Sequence, residues 1–167
     1  DFNRVPHPFT NMHVTEQGLD QLDEYIGRVR SVIGTKVPLA IDHFGHFPLP
    51  DMIKIARRLE KYHLAWLEDM LPWYLIDQYR ELKHATTAPI ATGEDMYLAE
   101  SFEPHLQAGA LDVVHPDLLT SGGILETKKL GDLAARYGAS MALHMCESPV
   151  SALAGAHMAT ASENFFA

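Results

Sequence analysis

Disulfide bonds cannot stabilise this chain, because its 167 residues include a single cysteine, Cys146. A reducing compartment is the default for a protein without disulfides, so we expect a cytoplasmic location. Basic residues are also scarce, with 13 Lys and Arg against 22 Asp and Glu, and they form no basic stripe. The composition therefore argues against a nucleic-acid partner.

Long apolar runs are absent as well. No segment approaches the length of a membrane span, and no charged-then-apolar signal opens the sequence, so we expect no membrane partner. The formal net charge of −9 is unfavourable for binding an acidic substrate. Such a substrate needs local positive charge, which a bound divalent cation can supply.

Short apolar runs typical of β-strands recur along the chain, and each run ends in one polar residue. These residues are spaced at intervals of 23 to 27 positions: Asp42, Glu68, Glu94, Asp117 and His144. Between the runs, apolar residues recur at helical spacing within 19–29, 52–62, 76–82 and 130–137. Strands that alternate with helices at this interval predict parallel βα units.

Two architectures contain such units: a doubly wound open sheet and a closed (β/α) barrel of the TIM type. In a barrel all strands end on one face, where active sites lie, whereas an open sheet concentrates its site at one switch point. Five polar strand ends in five consecutive units favour the barrel. Because a complete barrel needs about 250 residues, we expect an incomplete one of about six units. The final run, Phe165-Phe166-Ala167, reads as the start of another strand.

Three of the strand ends are carboxylates. Asp42, Glu68 and Glu94 follow consecutive runs and would face one point on a barrel rim. Without a cation they would repel one another. Carboxylate oxygens favour hard cations, and Mg²⁺ commonly keeps positions open for water or substrate. We therefore predict a Mg²⁺ site, the alternative being three unrelated acids in surface loops.

The next two strand ends, Asp117 and His144, can form an acid–imidazole pair. A carboxylate that holds an imidazole fixes its tautomer and raises its basicity. We predict that His144 is a catalytic base held by Asp117. The alternative is a polar barrel rim with a structural histidine, since the chain has ten histidines.

Five strings carry a resemblance to a known family: AIDHFGHF at 40–47, WLEDMLP at 66–72, ATGEDMY at 91–97, HPDLLTSGGI at 115–124 and ALHM at 142–145. In this order and spacing they resemble the mandelate racemase/muconate lactonizing branch of the enolase superfamily, from about residue 16 onward. The resemblance implies that Asp42, Glu68 and Glu94 bind Mg²⁺ and that Asp117 and His144 are the Asp–His base. It also implies a metal-stabilised enediolate, formed by removing the α-proton of a carboxylic acid.

The chain departs from the family pattern in the loop after the first metal ligand. Many sugar-acid dehydratases of the family carry a histidine two positions after that ligand, where this chain has Phe44. His43 and His46 flank that position and are candidates for substrate binding, as is His13 in the segment before the first helix. The alternative is a histidine-rich loop without a substrate role.

The resemblance also implies a division of the chain into parts. We assign residues 1–15 to a loop that follows an upstream strand, and 16–167 to the partial barrel. The family's lysine-containing acid/base motif on the second strand, its acid on the eighth strand and its N-terminal capping domain have no counterpart in this sequence.

Taken together, these features predict dehydration of a sugar acid by a Mg²⁺-dependent lyase. Another enzyme of the same fold could instead racemise or epimerise an α-substituted carboxylate. A protein without catalytic activity, namely a metal-binding or scaffolding barrel, is the second alternative. The Asp117–His144 pair argues against the last, because a cation site alone does not require such a pair. The expected partners are a small-molecule carboxylate substrate and further copies of the same chain in a homo-oligomer.

Overall fold

The computed structural model describes residues 13–42 and 47–167, which fall into two compact units. The first unit extends to Ile90 and the second comprises Ala91–Ala167. Each unit alternates parallel strands with helices, as the spacing of the apolar runs predicts. Within the described residues no helix is both long and apolar enough to cross a membrane.

Within its described residues, the first unit contains three α-helices and two short strands. In chain order they are α1 (Glu16–Ile33), β1 (Ile41–Asp42), α2 (Leu49–Leu59) with a 3-10 turn (Glu60–Tyr62), β2 (Leu67–Glu68) and α3 (Ile76–Ala85). Helix α1 begins at a threonine cap, because the Thr15 side chain accepts a hydrogen bond from the Gly18 N–H. It ends at Gly34, whose positive φ of 70° suits glycine. Three of the predicted helical patterns are thereby confirmed.

Strands β1 and β2 pair in parallel, and their register sets the position of two acids. Ile41 lies opposite Leu67, and Asp42 lies opposite Glu68. The Ile41 N–H donates to the Trp66 carbonyl at 3.2 Å, which fixes this register. Parallel pairing therefore brings both carboxylates to the same end of neighbouring strands.

The second unit continues the alternation. Apart from Ile90, which is the last residue of the first unit, its elements are β3 (Ile90–Thr92), α4 (Leu98–Gln107), β4 (Val113–Val114), α5 (Leu118–Ser121), α6 (Gly123–Arg136), β5 (Ser140–Met141) and α7 (Pro149–Thr160). β4 pairs in parallel with β3 on one side and with β5 on the other. Phe165 forms a parallel bridge with Met141, as expected of a strand that begins there.

The helices of both units bury one apolar stripe against the strands. In α2 the side chains of Met52, Ile55 and Leu59 are fully buried, at helical spacing. In the second unit Phe102 of α4 and Leu130 of α6 are fully buried in the same way. Burial of each such side chain contributes about 1.5–3 kcal/mol, so these stripes are the main source of stability.

A buried carboxylate joins the segment before α1 to the first turn of α2. Asp51, which is 4% exposed, accepts hydrogen bonds from His13 Nδ1 at 2.9 Å, the Val14 N–H at 3.2 Å and Lys54 Nζ at 3.1 Å. Burial alone raises the pKa of the Asp51 carboxyl, but these hydrogen bonds outweigh it and leave the pKa below its ordinary value. The charged form of Asp51 therefore stabilises the fold.

We predict that Asp51→Asn lowers the free energy of unfolding at pH 7 by about 1–3 kcal/mol, because it removes a charged hydrogen-bond acceptor that is buried. The lowered pKa means that the contribution is complete above the unfolded-state pKa of about 3.9 and is lost as the pH falls through the folded-state pKa. Urea unfolding of both proteins between pH 7 and pH 3 tests this, and the difference should shrink at the acid end. Asp77→Asn, at an exposed aspartate of α3, is the matched control, and equal effects of the two substitutions would refute the role of Asp51.

Candidate active site

The first unit presents a cluster of three carboxylates at the ends of β1 and β2. Oxygens of Asp42, Glu68 and Asp69 all lie within 4.8 Å of one another. Glu68 is buried, and its Oε2 accepts a hydrogen bond of 2.7 Å from Trp66 Nε1. The indole therefore orients Glu68 before any cation is bound.

The donor set of this cluster fits Mg²⁺. All three ligand candidates are carboxylate oxygens, which hard divalent cations prefer, and their separation is small enough for one ion to bridge them. A cation would also offset the repulsion between the carboxylates. Asp42 and Glu68 would thus hold the ion, with Asp69 beside them.

Asp69 is not among the residues predicted from the sequence to bind the cation. Consecutive side chains of an extended strand point to opposite faces, so an acid next to Glu68 is expected to point away from it. Asp69 instead has a φ of 44°, in the left-handed region, and this backbone ends the strand and turns its carboxylate toward Asp42 and Glu68. The Glu-Asp pair in the sequence is the only signal that could have drawn attention to it.

The second unit contains the predicted acid–imidazole pair. His144 Nδ1 lies 2.8 Å from Asp117 Oδ2, within hydrogen-bond distance, and the two residues also form a parallel backbone bridge. Asp117 caps helix α5, because its Oδ1 accepts from the Leu119 N–H at 2.7 Å. With a side chain 2% exposed and both oxygens engaged, Asp117 is a fixed partner for the imidazole.

The other ring nitrogen of His144 faces a second carboxylate. Nε2 lies 3.1 Å from Glu94 Oε2. Glu94 is itself held by its backbone, because Thr120 Oγ1 donates to its carbonyl at 2.8 Å. When Nδ1–H donates to Asp117, the contact of Nε2 with the Glu94 carboxylate requires a proton on Nε2 or on Glu94, so Nε2 offers its lone pair to a substrate proton only when Glu94 turns away from it.

Residues that directly follow β3 and β4 contribute to the packing near this pair. The ring of His115, which is 7% exposed, meets that of His144 edge to face, with centroids 5.8 Å apart and an angle of 81°. Gly93, immediately before Glu94, has a φ of 146°, and a Cβ there would lie 2.5 Å from the buried Phe102 ring. The sequence analysis assigns no role to His115, although it opens the HPD string that contains Asp117.

An apolar cavity of about 400 Å³ lies beside the pair. Asp117 and His144 line it together with Leu143, Phe165 and small residues of α7 such as Gly155. Apolar surroundings strengthen hydrogen bonds between charged partners, because little water competes for them. On the Asp117 side the contact is shielded from water, since that side chain is 2% exposed, whereas the His144 side chain is 23% exposed.

Of the three histidines predicted to bind substrate, the structure describes His13 alone. His43 and His46 lie outside the described residues, as does most of the loop assigned to residues 1–15. His13 is described: its side chain is 76% exposed, and its Nδ1 is bonded to Asp51. This contact ties His13 to helix α2, and its role toward substrate stays a prediction.

Comparison with known proteins identifies the family. The model of the enolase C-terminal domain-like family matches residues 8–167. The chain belongs to this family. The resemblance read from the five strings is thereby confirmed, and with it the incomplete (β/α) barrel.

Two enzymes and one solved structure illustrate the similarity. D-xylonate dehydratase of Haloferax volcanii is 33% identical over 157 residues, which are 94% of this chain and 38% of that enzyme. D-gluconate dehydratase of Thermoproteus tenax is 31% identical over 137 residues, which are 82% of this chain and 28% of that enzyme. A mandelate racemase/muconate lactonizing enzyme-like protein from Rubrobacter xylanophilus superposes with a TM-score of 0.91 at 32% identity, covering 99% of this chain and 42% of its own. The chain therefore spans about two fifths or less of the proteins that it matches.

We predict that Glu68→Gln weakens Mg²⁺ binding at least about tenfold while the fold is kept, because a carboxylate that the indole of Trp66 positions loses its charge. Isothermal titration with Mg²⁺ measures the affinity, and circular dichroism checks the fold. Glu81→Gln, at an exposed glutamate of α3, is the matched control and should bind as the unchanged protein does. Equal affinity of the Glu68 and Glu81 variants would exclude Glu68 as a ligand.

Proposed function

We propose that this chain carries the base and most of the metal ligands of a Mg²⁺-dependent hydro-lyase that dehydrates sugar acids. The observation that carries the proposal is the His144 imidazole, which Asp117 holds at 2.8 Å, and Nε2 is the atom proposed to accept the proton. Carboxylates at neighbouring strand ends supply the ligands. The D-xylonate and D-gluconate dehydratases among its relatives support the choice of reaction.

The ligands in this proposal are Asp42, Glu68 and Glu94. Mg²⁺, when bound, supplies positive charge that lowers the cost of a second negative charge on the substrate carboxylate. The requirement is physical, because the α-proton of a carboxylate is too weakly acidic for an imidazole alone. Asp42 and Glu68 already converge, and the position of Glu94 next to them is part of the proposal.

Proton transfer is the task of His144. Nε2 takes the α-proton, and the Asp117 carboxylate stabilises the imidazolium that results. The β-hydroxyl then leaves with a proton as water, and a carbon–carbon double bond forms between the α- and β-carbons. The enol so produced tautomerises to a 2-oxo acid. His144 can return its proton to the leaving hydroxyl, in which case the enzyme is restored without an external acid.

Two further properties belong to the proposal. We infer a cytoplasmic enzyme from the absence of disulfides. A homo-oligomer acting on a small-molecule carboxylate is the form that we expect for the whole protein.

We predict that His144→Asn slows exchange of the substrate α-proton with solvent deuterium by about 10²–10⁴-fold, because the proton acceptor is lost. Asp117→Asn should cost less, because the acceptor atom remains while its orientation and basicity change. Proton NMR in deuterated buffer, with D-xylonate and D-gluconate as substrates, measures the exchange. Mg²⁺ affinity, measured on the same variants, should change little.

The matched control is His157→Asn, which makes the same substitution at an exposed position of α7. It should exchange at the rate of the unchanged protein. Exchange at that rate in the His144 variant would reject the base assignment. Exchange without release of water would instead favour racemisation or epimerisation over dehydration.

A further inference from the structure

The loop after β5 places three different metal-binding groups together. A ring nitrogen of His144, Cys146 Sγ and a Glu147 carboxylate oxygen all lie within 4.8 Å of one another. Cys146 and Glu147 are exposed, and the His144 side chain is 23% exposed. Solvent cations therefore have direct access to the group.

The chemistry of this group differs from that of the carboxylate cluster in the first unit. Thiolate and imidazole ligands favour borderline or soft cations, whereas Mg²⁺ takes oxygen ligands. Zn²⁺ is bound by sulfur at about 2.3 Å and by nitrogen at about 2.0 Å, so tetrahedral ligands lie about 3.3–3.6 Å from one another. Small side-chain rotations bring donors within 4.8 Å to that separation, and the exposed side chains of Cys146 and Glu147 have room for such rotations.

We propose that His144, Cys146 and Glu147 form a Zn²⁺ site that overlaps the proposed catalytic base. The site takes Zn²⁺ and cations of similar softness, and it discriminates against Mg²⁺ through the thiolate. Binding of Zn²⁺ does not depend on the proposed dehydratase function.

Because the Zn²⁺ site overlaps the proposed base, bound Zn²⁺ is expected to inhibit the enzyme. This inhibition, unlike the binding of Zn²⁺, rests on the proposed function. Both nitrogens of His144 already face carboxylates, Nδ1 toward Asp117 and Nε2 toward Glu94. A cation on either nitrogen displaces one of these contacts. Coordination of Nε2 occupies the lone pair that accepts the proton, and coordination of Nδ1 removes the contact that orients the ring. The protein is therefore expected to lose activity at Zn²⁺ concentrations that fill the site.

Titration with Co²⁺ in the presence of excess Mg²⁺ tests the site without any activity measurement. Co²⁺ bound to a thiolate gives a sulfur-to-metal charge-transfer band in the near ultraviolet, whereas Co²⁺ bound only by oxygens does not. We expect a thiolate band that saturates at one Co²⁺ per chain and that Zn²⁺ abolishes by displacement. Cys146→Ser should remove the band, and Glu147→Gln and His144→Asn should each weaken Co²⁺ binding at least about tenfold.

Glu163→Gln, at an exposed glutamate of the second unit, is the matched control for Glu147→Gln and should bind Co²⁺ normally. Absence of a thiolate band in the unchanged protein would overturn the site. Equal Co²⁺ affinity in the Glu147, His144 and Glu163 variants would overturn it as well, because the cysteine would then bind alone.

The inhibitory part is tested by α-proton exchange with and without Zn²⁺. With Mg²⁺ alone, the Cys146→Ser variant should exchange the substrate α-proton at the rate of the unchanged protein. It should keep that rate at Zn²⁺ concentrations that slow exchange by the unchanged protein about tenfold. Equal inhibition of both proteins would assign the effect to the carboxylate cluster and reject the overlap. A protein that binds Co²⁺ through its thiolate but exchanges no α-proton would refute the proposed function and leave the Zn²⁺ site standing.

Discussion

Parallel strand pairing is the constraint on which the candidate site depends. Each strand of this chain is only two or three residues long, yet its carboxyl end carries a functional group. Because parallel strands run in one direction, equal positions on neighbours lie side by side, as Asp42 and Glu68 do. Strands β4 and β5 also pair in parallel, and beyond their ends a parallel backbone bridge joins Asp117 to His144. Side-chain chemistry at this site is therefore a consequence of backbone register.

Much of this arrangement can be predicted from the sequence, because polar residues recur at the strand ends and apolar residues recur at helical spacing between them. Helix α2 buries Met52, Ile55 and Leu59 as their spacing indicates, and α6 buries Leu130 and Ala134, whereas Tyr137 at the end of the predicted α6 stripe is exposed. Helix α7 has no single apolar face, since most of its residues on every side are apolar or small. Helix α4 contains Pro104 in its interior. A reading based on periodicity does not identify either of these helices.

The positions of the side chains at the candidate site depend on backbone angles and rotamers that no sequence pattern specifies. The role of Asp69 follows from a left-handed backbone that few non-glycine residues adopt. The contact between His115 and His144 depends on the rotamers of a buried ring and a half-buried one. The contact of Glu94 with His144 joins residues 50 positions apart, and strand order alone does not specify which acid meets the imidazole.

Gly93 has a consequence for the design of altered enzymes. Residues beside a metal ligand are usual targets for random mutagenesis, because they are assumed to tune reactivity. At this position, however, any side chain is strained by the backbone angle and crowds the buried ring of Phe102, so a library that varies it samples mostly destabilised proteins. Useful diversity close to Glu94 is better sought at Tyr97 or Leu98, which are exposed.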